Sequence, residues 1–241
     1  MRDIVGAARM RALTGRSWWL LATGAIGVCV LAAAGYATTV TDLPPQEATD
    51  GLVRLWFTLL LFSALFAGNV TARDHATGTI ARTVLTAGGR DRALAAGLRV
   101  SVEIGVVYGL VAAALGAATP WVLLPAAGVD VAWTDSTWAV VLGVFVVTAV
   151  AAPWGALLGW LVRSQVATIG ILVVQMLLTD ELVQRLAPGV GKFGLSMAMA
   201  SIYGDGRVDL LAVPAAAAVI AVWLAVAAVG AVLLVRRRDV L

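Results

Sequence analysis

Few residues in this chain are of types that do chemistry, and three groupings of them can be weighed. Gly189-Val190-Gly191-Lys192-Phe193-Gly194 has the glycine spacing of a dinucleotide fingerprint, in which absent side chains let backbone approach a pyrophosphate at a helix N-terminus. That chemistry needs a preceding strand inside a βαβ unit, and neither is legible here. As a phosphate-binding loop the segment also fails, because Phe193 stands where a hydroxyl should hold magnesium and Leu186 where the first glycine should be. A turn and hinge in an outer loop is the expectation. His75 is the only histidine and follows Asp74. A metal ion needs further ligands, so a solvated loop residue is expected. Asp180, Glu181 and Arg185 are the one cluster an interfacial membrane enzyme would have, and the i, i+4 spacing of Glu181 and Arg185 reads more simply as an ion-paired helix end. The expectation is no catalytic residue, no metal site and no cofactor bound by this chain.

The elements that hold these residues are mostly apolar. Hydrophobic residues make up 61% of the 241 and charged residues 13%, against about 45–50% and about 25% in soluble domains. The apolar residues fall in blocks of about twenty, the length that crosses a hydrocarbon core of about 30 Å as a helix. Six spans are expected, at Trp18–Ala37, Leu52–Val70, Val100–Ala118, Trp138–Val162, Val166–Leu178 and Val208–Val235. The fifth is short, and Gln175, Asp180 and Glu181 interrupt or end it. The fold class expected is an all-α polytopic membrane protein, one membrane domain over 1–241, with no room for a soluble ATPase, kinase or DNA-binding domain. The first span is too long for a secretory signal peptide. The single cysteine, Cys29, lies inside that span and carries no functional information.

Orientation follows from arginine. With the N-terminus inside, inner segments hold Arg2, Arg9, Arg11, Arg16, Arg73, Arg82, Arg90, Arg92, Arg99, Arg163, Arg236, Arg237 and Arg238, which is 13 of the 17 basic residues. Outer segments hold only Arg54, Arg185, Lys192 and Arg207. Inner loops carry such an excess when both termini are cytoplasmic. Residues 1–16 can form an interfacial helix with Ile4, Val5, Ala8 and Ala12 on one arc, while Arg2, Arg9 and Arg16 recur every seven residues and can snorkel to headgroups. The alternative is a plain positive-inside anchor. The longest inner segment, 71–99, is expected to hold a short helix capped by Thr79, running through Ile80, Ala81, Arg82, Thr83, Val84 and Leu85, and ended by Gly88 and Gly89. A second helical stretch starts near Arg90. Ile80, Val84 and Leu85 share a side of the short helix and would offer an apolar face to a cytoplasmic partner; the alternative is that they pack on their own neighbours. An outer loop covers 179–207.

Ionisable groups inside the spans are scarce: Glu103 near the inner start of the third and Arg54 near the outer start of the second. Ion-coupled carriers place acids near mid-membrane and commonly carry repeats; neither is visible, so the energy for any transport must come from elsewhere. Asn69-Val70-Thr71 matches a glycosylation sequon but sits at an inner span end. Gly155 and Gly159, one turn after Pro153, allow close helix packing within the chain or between subunits. Trp121, Trp133, Trp138, Trp154 and Trp160 are interfacial anchors or, alternatively, line an apolar path.

The run from Arg73-Asp74-His75-Ala76-Thr77-Gly78-Thr79 to Leu85, then Gly89-Arg90-Asp91-Arg92 and Ala95-Ala96, resembles the inner loop of ABC-2 type permeases, the membrane components of ATP-driven exporters. The ending Arg236-Arg237-Arg238-Asp239-Val240, the arginine-rich N-terminal helix and the six spans are similar to that family too. Gly88 replaces a proline common there, and Arg99 stands near a missing lysine. The resemblance implies a permease in a bacterial cell membrane, paired with a second permease chain, identical or homologous, and docked to a separate ATP-binding subunit that carries ATP and magnesium. It implies export of a hydrophobic or amphipathic substrate, such as an antibiotic or other drug, a peptide or a lipid. Thr79, Ile80, Arg82, Val84 and Leu85 would then couple to the ATPase, with Arg2, Arg9, Arg11 and Arg16 on the interfacial helix. No nucleic-acid partner is expected. The rival reading is a non-transporting multi-pass assembly or sensor subunit using the same loop.

Overall fold

A computed structural model describes residues 2–13, 17–207 and 209–237. Among them every regular element is helical: α1 (Arg2–Leu13), α2 (Ser17–Ala37), α3 (Pro45–Arg54), α4 (Leu59–Ala76), α5 (Thr79–Ala87), α6 (Arg90–Ala126), α7 (Asp135–Val162), α8 (Gln165–Val174), α9 (Asp180–Leu186), α10 (Pro188–Gly191), α11 (Leu195–Tyr203) and α12 (Val213–Arg237). A 3-10 turn, Leu55–Thr58, joins α3 to α4, and a π-helical turn, Gln175–Thr179, joins α8 to α9. Six stretches are long and apolar enough to cross a bilayer: Trp19–Ala37, Pro45–Ala76, Arg90–Ala126, Asp135–Val162, Gln165–Leu186 and Val213–Arg237. The chain is an all-helical transmembrane protein.

Several boundaries differ from the sequence expectation. The fourth span starts at Asp135 rather than Trp138. The sixth starts at Val213, and Val208 lies outside the described residues. Stretches of 32 and 37 residues replace the second and third spans. At about 1.5 Å per residue these are about 48 and 55 Å long, so a hydrocarbon core of about 30 Å contains neither whole. Segment 71–99 is correspondingly mostly helix. Residues up to Ala76 extend α4 and those from Arg90 extend α6, which leaves only α5 and its two turns between them.

The fifth span does not end at Leu178. Its helix continues to Leu186 because the polar residues expected to stop it find partners. The Trp154 indole N–H donates to Gln175 Oε1 at 3.2 Å, and Asp180 Oδ2 accepts from the Ser196 backbone N–H at 2.8 Å. Segment 179–207, expected as an outer loop, is likewise mostly helix. Its last part, α11, is a buried plug with Leu195, Ala198 and Met199 fully enclosed, packed on α7 and α12. The Asp180 carboxylate reaches the first turn of α11, where backbone donors would otherwise lack partners.

The core is built around α7, the most embedded of the six stretches. It meets α4 where Gly155 and Gly159 lie against the Ala64 and Gly68 carbonyls, and it meets α6 where Gly105 and Gly109 lie against the Ala149 and Phe145 carbonyls. Gly105, Gly109, Ala112 and Gly116 are all buried along one face of α6. In lipid the hydrophobic effect does not drive helices together, so close backbone approach over small residues supplies the packing energy. The Gly155/Gly159 step therefore serves a contact within the chain. The Ser63 hydroxyl donates to the Thr148 carbonyl at 3.0 Å across the same seam. At the end opposite α1, Asp50 of α3 accepts from the Thr137 hydroxyl at 2.6 Å and fastens α3 to the first turn of α7.

Candidate functional site

A set of polar contacts ties together the elements at the end that bears α1, α5, the start of α6 and the end of α12. α1 packs one side on α6; the side chain of Ile4, expected on that side, lies outside the described residues. Val5 and Ala12 are buried against Ala96 and Val100 of α6, with Ala8, Val70 and Ile104 around them. Arg9 lies on its exposed side and forms a two-pronged pair with Glu103, the closer contacts at 2.5 and 2.6 Å. Arg99 approaches the same carboxylate at 3.6 Å, one turn earlier on α6. Two-pronged guanidinium–carboxylate geometry fixes orientation as well as charge. Bonding to Glu103 raises the Arg9 guanidinium further above its ordinary value. This contact gives Glu103, near the start of the third span, a partner from a helix about ninety residues away in sequence. Arg11 bonds the Thr83 hydroxyl of α5, and Arg73 of α4 donates to the Arg11 carbonyl at 2.9 Å. α1 is thus tied to three other helices. Arg16 lies outside the described residues, as does Arg238.

If the Arg9–Glu103 pair holds α1 in place, Glu103→Gln loosens it. With Cys29 replaced, cysteines at Ala8 and Ala96 are expected to cross-link in the parent chain and several-fold less in Glu103→Gln. Equal yields would show that apolar contacts alone seat α1.

α5 is held between two left-handed glycines, Gly78 (φ 69°) and Gly88 (φ 67°). Side chains rarely adopt that backbone, so these positions set the bends at both ends. Thr79 is not the cap: Gly78 occupies that position and Thr79 is the first helical residue, its hydroxyl 2.7 Å from that of Thr77. Ile80, Thr83 and Ala87 are buried, Val84 is half-buried, and Leu85 is 81% exposed beside exposed Arg82 and Thr86. The proposed apolar face is therefore split. Ile80 belongs to the main core, and Leu85 with Arg82 forms what α5 presents outward. Hydrophobic periodicity could not separate these, because Thr83 rather than a larger apolar residue lies beside Ile80 on the inner side.

His75, expected as a solvated loop residue, is at the end of α4 and only partly exposed, as is Asp74. The His75 ring meets Trp160 edge to face at 4.8 Å, and its Nδ1 lies 3.1 Å from the Thr71 carbonyl. Asp74, Arg11, Thr71, Ser101 and Trp160 are among the residues that border a small, mostly apolar cavity of about 40 Å³. No group of three His, Cys, Asp or Glu residues gathers among the described residues. The α5–α6 corner is closed from the other side by α12: Arg236 pairs with Asp91 at 2.8 Å, and Arg90 donates to the Val235 carbonyl at 3.1 Å.

The other sequence candidates lie elsewhere. Glu181 pairs with Arg185 at 2.8 Å and Arg207 at 2.6 Å, and Arg207 also reaches Asp205 at 2.7 Å. Burial pushes the Asp205 carboxyl up despite Arg207, and the hydrogen bond to Glu181 raises Arg207. With Asp180 capping α11, the cluster braces α9 against α11 and the turn that follows it. The glycine-rich run 189–194 forms a packing corner: Gly191 lies against Gln184 with no room for a side chain, and the Phe193 carbonyl accepts from Trp223 at 2.9 Å. Asn69 of the sequon is buried and bonded to Gln165. Trp154 and Trp160 are core residues, whereas between the ends of α6 and α7 Trp133 stacks on Trp121 at a centroid distance of 6.1 Å and meets Trp138 edge to face at 5.2 Å. No protein-family model and no curated protein matches this chain.

Proposed function

We propose that the chain is the permease subunit of an ATP-driven exporter, moving a hydrophobic or amphipathic substrate across a bacterial cell membrane with energy from a separate ATP-binding subunit. The observation that carries this reading is α5. It is a short helix at the turn between two overlong spans, buried on its Ile80–Thr83–Ala87 side and presenting Arg82 and Leu85 outward. Such an element has an apolar contact to offer and a stiff route back into the bundle, since α4, α6 and α1 all touch it. The resemblance of residues 73–96 to the inner loop of ABC-2 type permeases supports the same reading. A second permease chain would pair through exposed span faces; α2 and the α8–α9 stretch are among the least embedded.

This function requires the arginine-rich end to be cytoplasmic. With Cys29 replaced, cysteine at Asp42 is expected to react with impermeant reagents in whole cells and cysteine at Thr86 only after lysis; both positions are exposed. The opposite pattern would remove the docking surface from the compartment that holds ATP. The purified chain alone is expected to bind no ATP above background. Saturable binding by the isolated chain would defeat the division of labour.

A further inference from the structure

A second feature owes nothing to the exporter reading. Between α2 and α6 a cleft of about 360 Å³ opens sideways, with α4 as its floor and α1 at one end. That volume falls within the about 300–1,000 Å³ of ordinary ligand pockets. Ile26 of α2, Phe66 of α4 and Val107 of α6 typify its walls, and the polar residues lining it are Arg9, Glu103 and Tyr108.

Its length and charge define what fits. The α6 wall runs from Val100 to Val111, a rise of about 16 Å at about 1.5 Å per residue. That is about half of a hydrocarbon core about 30 Å thick, the depth of one leaflet. The wall begins at the end where α1 crosses. There Arg9 and Arg99 flank Glu103, two guanidiniums to one carboxylate, with the arginine side chains 55% and 65% exposed. The mouth therefore keeps a net positive charge at the depth where a lipid phosphate lies, above a slot lined almost wholly by hydrocarbon.

We propose that this cleft binds one anionic phospholipid of the adjoining leaflet, an acyl chain lying against Phe66 and Val107 and the phosphate meeting Arg9 and Arg99. The lipid fills the gap beside α2, one of the two least embedded stretches, and bridges it to α6.

The test is native mass spectrometry of the full chain in detergent, titrated with phosphatidylglycerol and, separately, phosphatidylcholine. One phosphatidylglycerol per chain is expected to be held about tenfold more tightly than phosphatidylcholine. Val107→Trp fills the slot from a 59% exposed position and is expected to abolish that tight binding. Leu142→Trp, on the exposed face of α7 at 61%, is expected to leave it unchanged. Arg99→Gln alters only the rim and is expected to bring the two lipids to within about twofold of each other, which decides the matter even if Val107→Trp folds poorly. Equal affinity for both lipids in the parent chain would overturn the proposal. So would tight phosphatidylglycerol binding that survives Val107→Trp, or a loss caused equally by Leu142→Trp, which marks nonspecific annular lipid.

Discussion

A single methyl group at Gly155 is expected to disrupt the centre of the bundle. A Cβ there would lie 2.0 Å from the Ala64 carbonyl oxygen and 2.7 Å from its carbon. Both are backbone atoms of α4, so no rotamer change relieves the clash and the two helices must separate. Their separation also breaks the neighbouring contacts, where Gly68 lies against the Gly155 carbonyl and Gly159 against that of Gly68. Overpacking costs about 1–3 kcal/mol and occasionally more; a rigid backbone contact belongs at the upper end. At about 2–4 °C per kcal/mol for a chain of this size, Gly155→Ala is expected to lower the thermal unfolding midpoint in detergent by about 6–12 °C. Gly170→Ala is the matched control. A Cβ there meets nothing within 4 Å, and alanine is the better helix former by about 1 kcal/mol, so its midpoint is expected to hold or rise. Equal midpoints for the two variants would mean that α4 and α7 do not meet at this glycine.

Leu85→Asp is expected to have the opposite profile, an intact protein that does not work. Leu85 is 81% exposed, so the change removes no core contact. On the proposed function this side chain is covered by an ATP-binding subunit. Truncating a buried anchor at a protein interface costs about 1–2 kcal/mol or more, and a carboxylate left there without a partner costs more again. Since about 1.4 kcal/mol is tenfold in affinity, co-purification with the ATPase is expected to fall at least tenfold, with expression and unfolding midpoint unchanged. Val84→Asp is a mixed test because Val84 is half-buried, and a change at Ile80 would test the core instead. Wild-type co-purification and ATP turnover in Leu85→Asp would move the docking surface to another face of the same end, where Arg82 and the exposed side of α1 are next.

Sequence patterning made the six spans legible because a bilayer imposes length and apolarity on every crossing segment. A helix at the start of the chain was legible from the arc of Ile4, Val5, Ala8 and Ala12, of which the described Val5, Ala8 and Ala12 meet α6, and the bend after α5 from Gly88 and Gly89. What escaped depends on contacts between distant residues. Nothing near Glu103 in sequence names Arg9 as its main partner. Gln175 and Asp180 read as polar interruptions of a span until Trp154 and the first turn of α11 supply their hydrogen bonds. The buried plug α11 read as outer loop because a run of small residues and methionines has no strong period of its own. The split face of α5 escaped for a related reason: Ile80 and Leu85 are both apolar, and only the position of α4 and α6 decides which of them is inside. The lateral cleft is the clearest case, since its walls come from four helices and no local pattern marks them.

Site-specific photo-cross-linking tests the central claim most directly. A photoreactive residue in place of Leu85, in the full chain in its native membrane, captures whatever covers that position. One dominant adduct is expected, to a subunit that binds and hydrolyses ATP, lost when the same residue is placed at Leu142 on the exposed face of α7. An adduct at Leu85 to a protein with no nucleotide site, or the absence of any adduct in membranes where the transport is active, would contradict the claim.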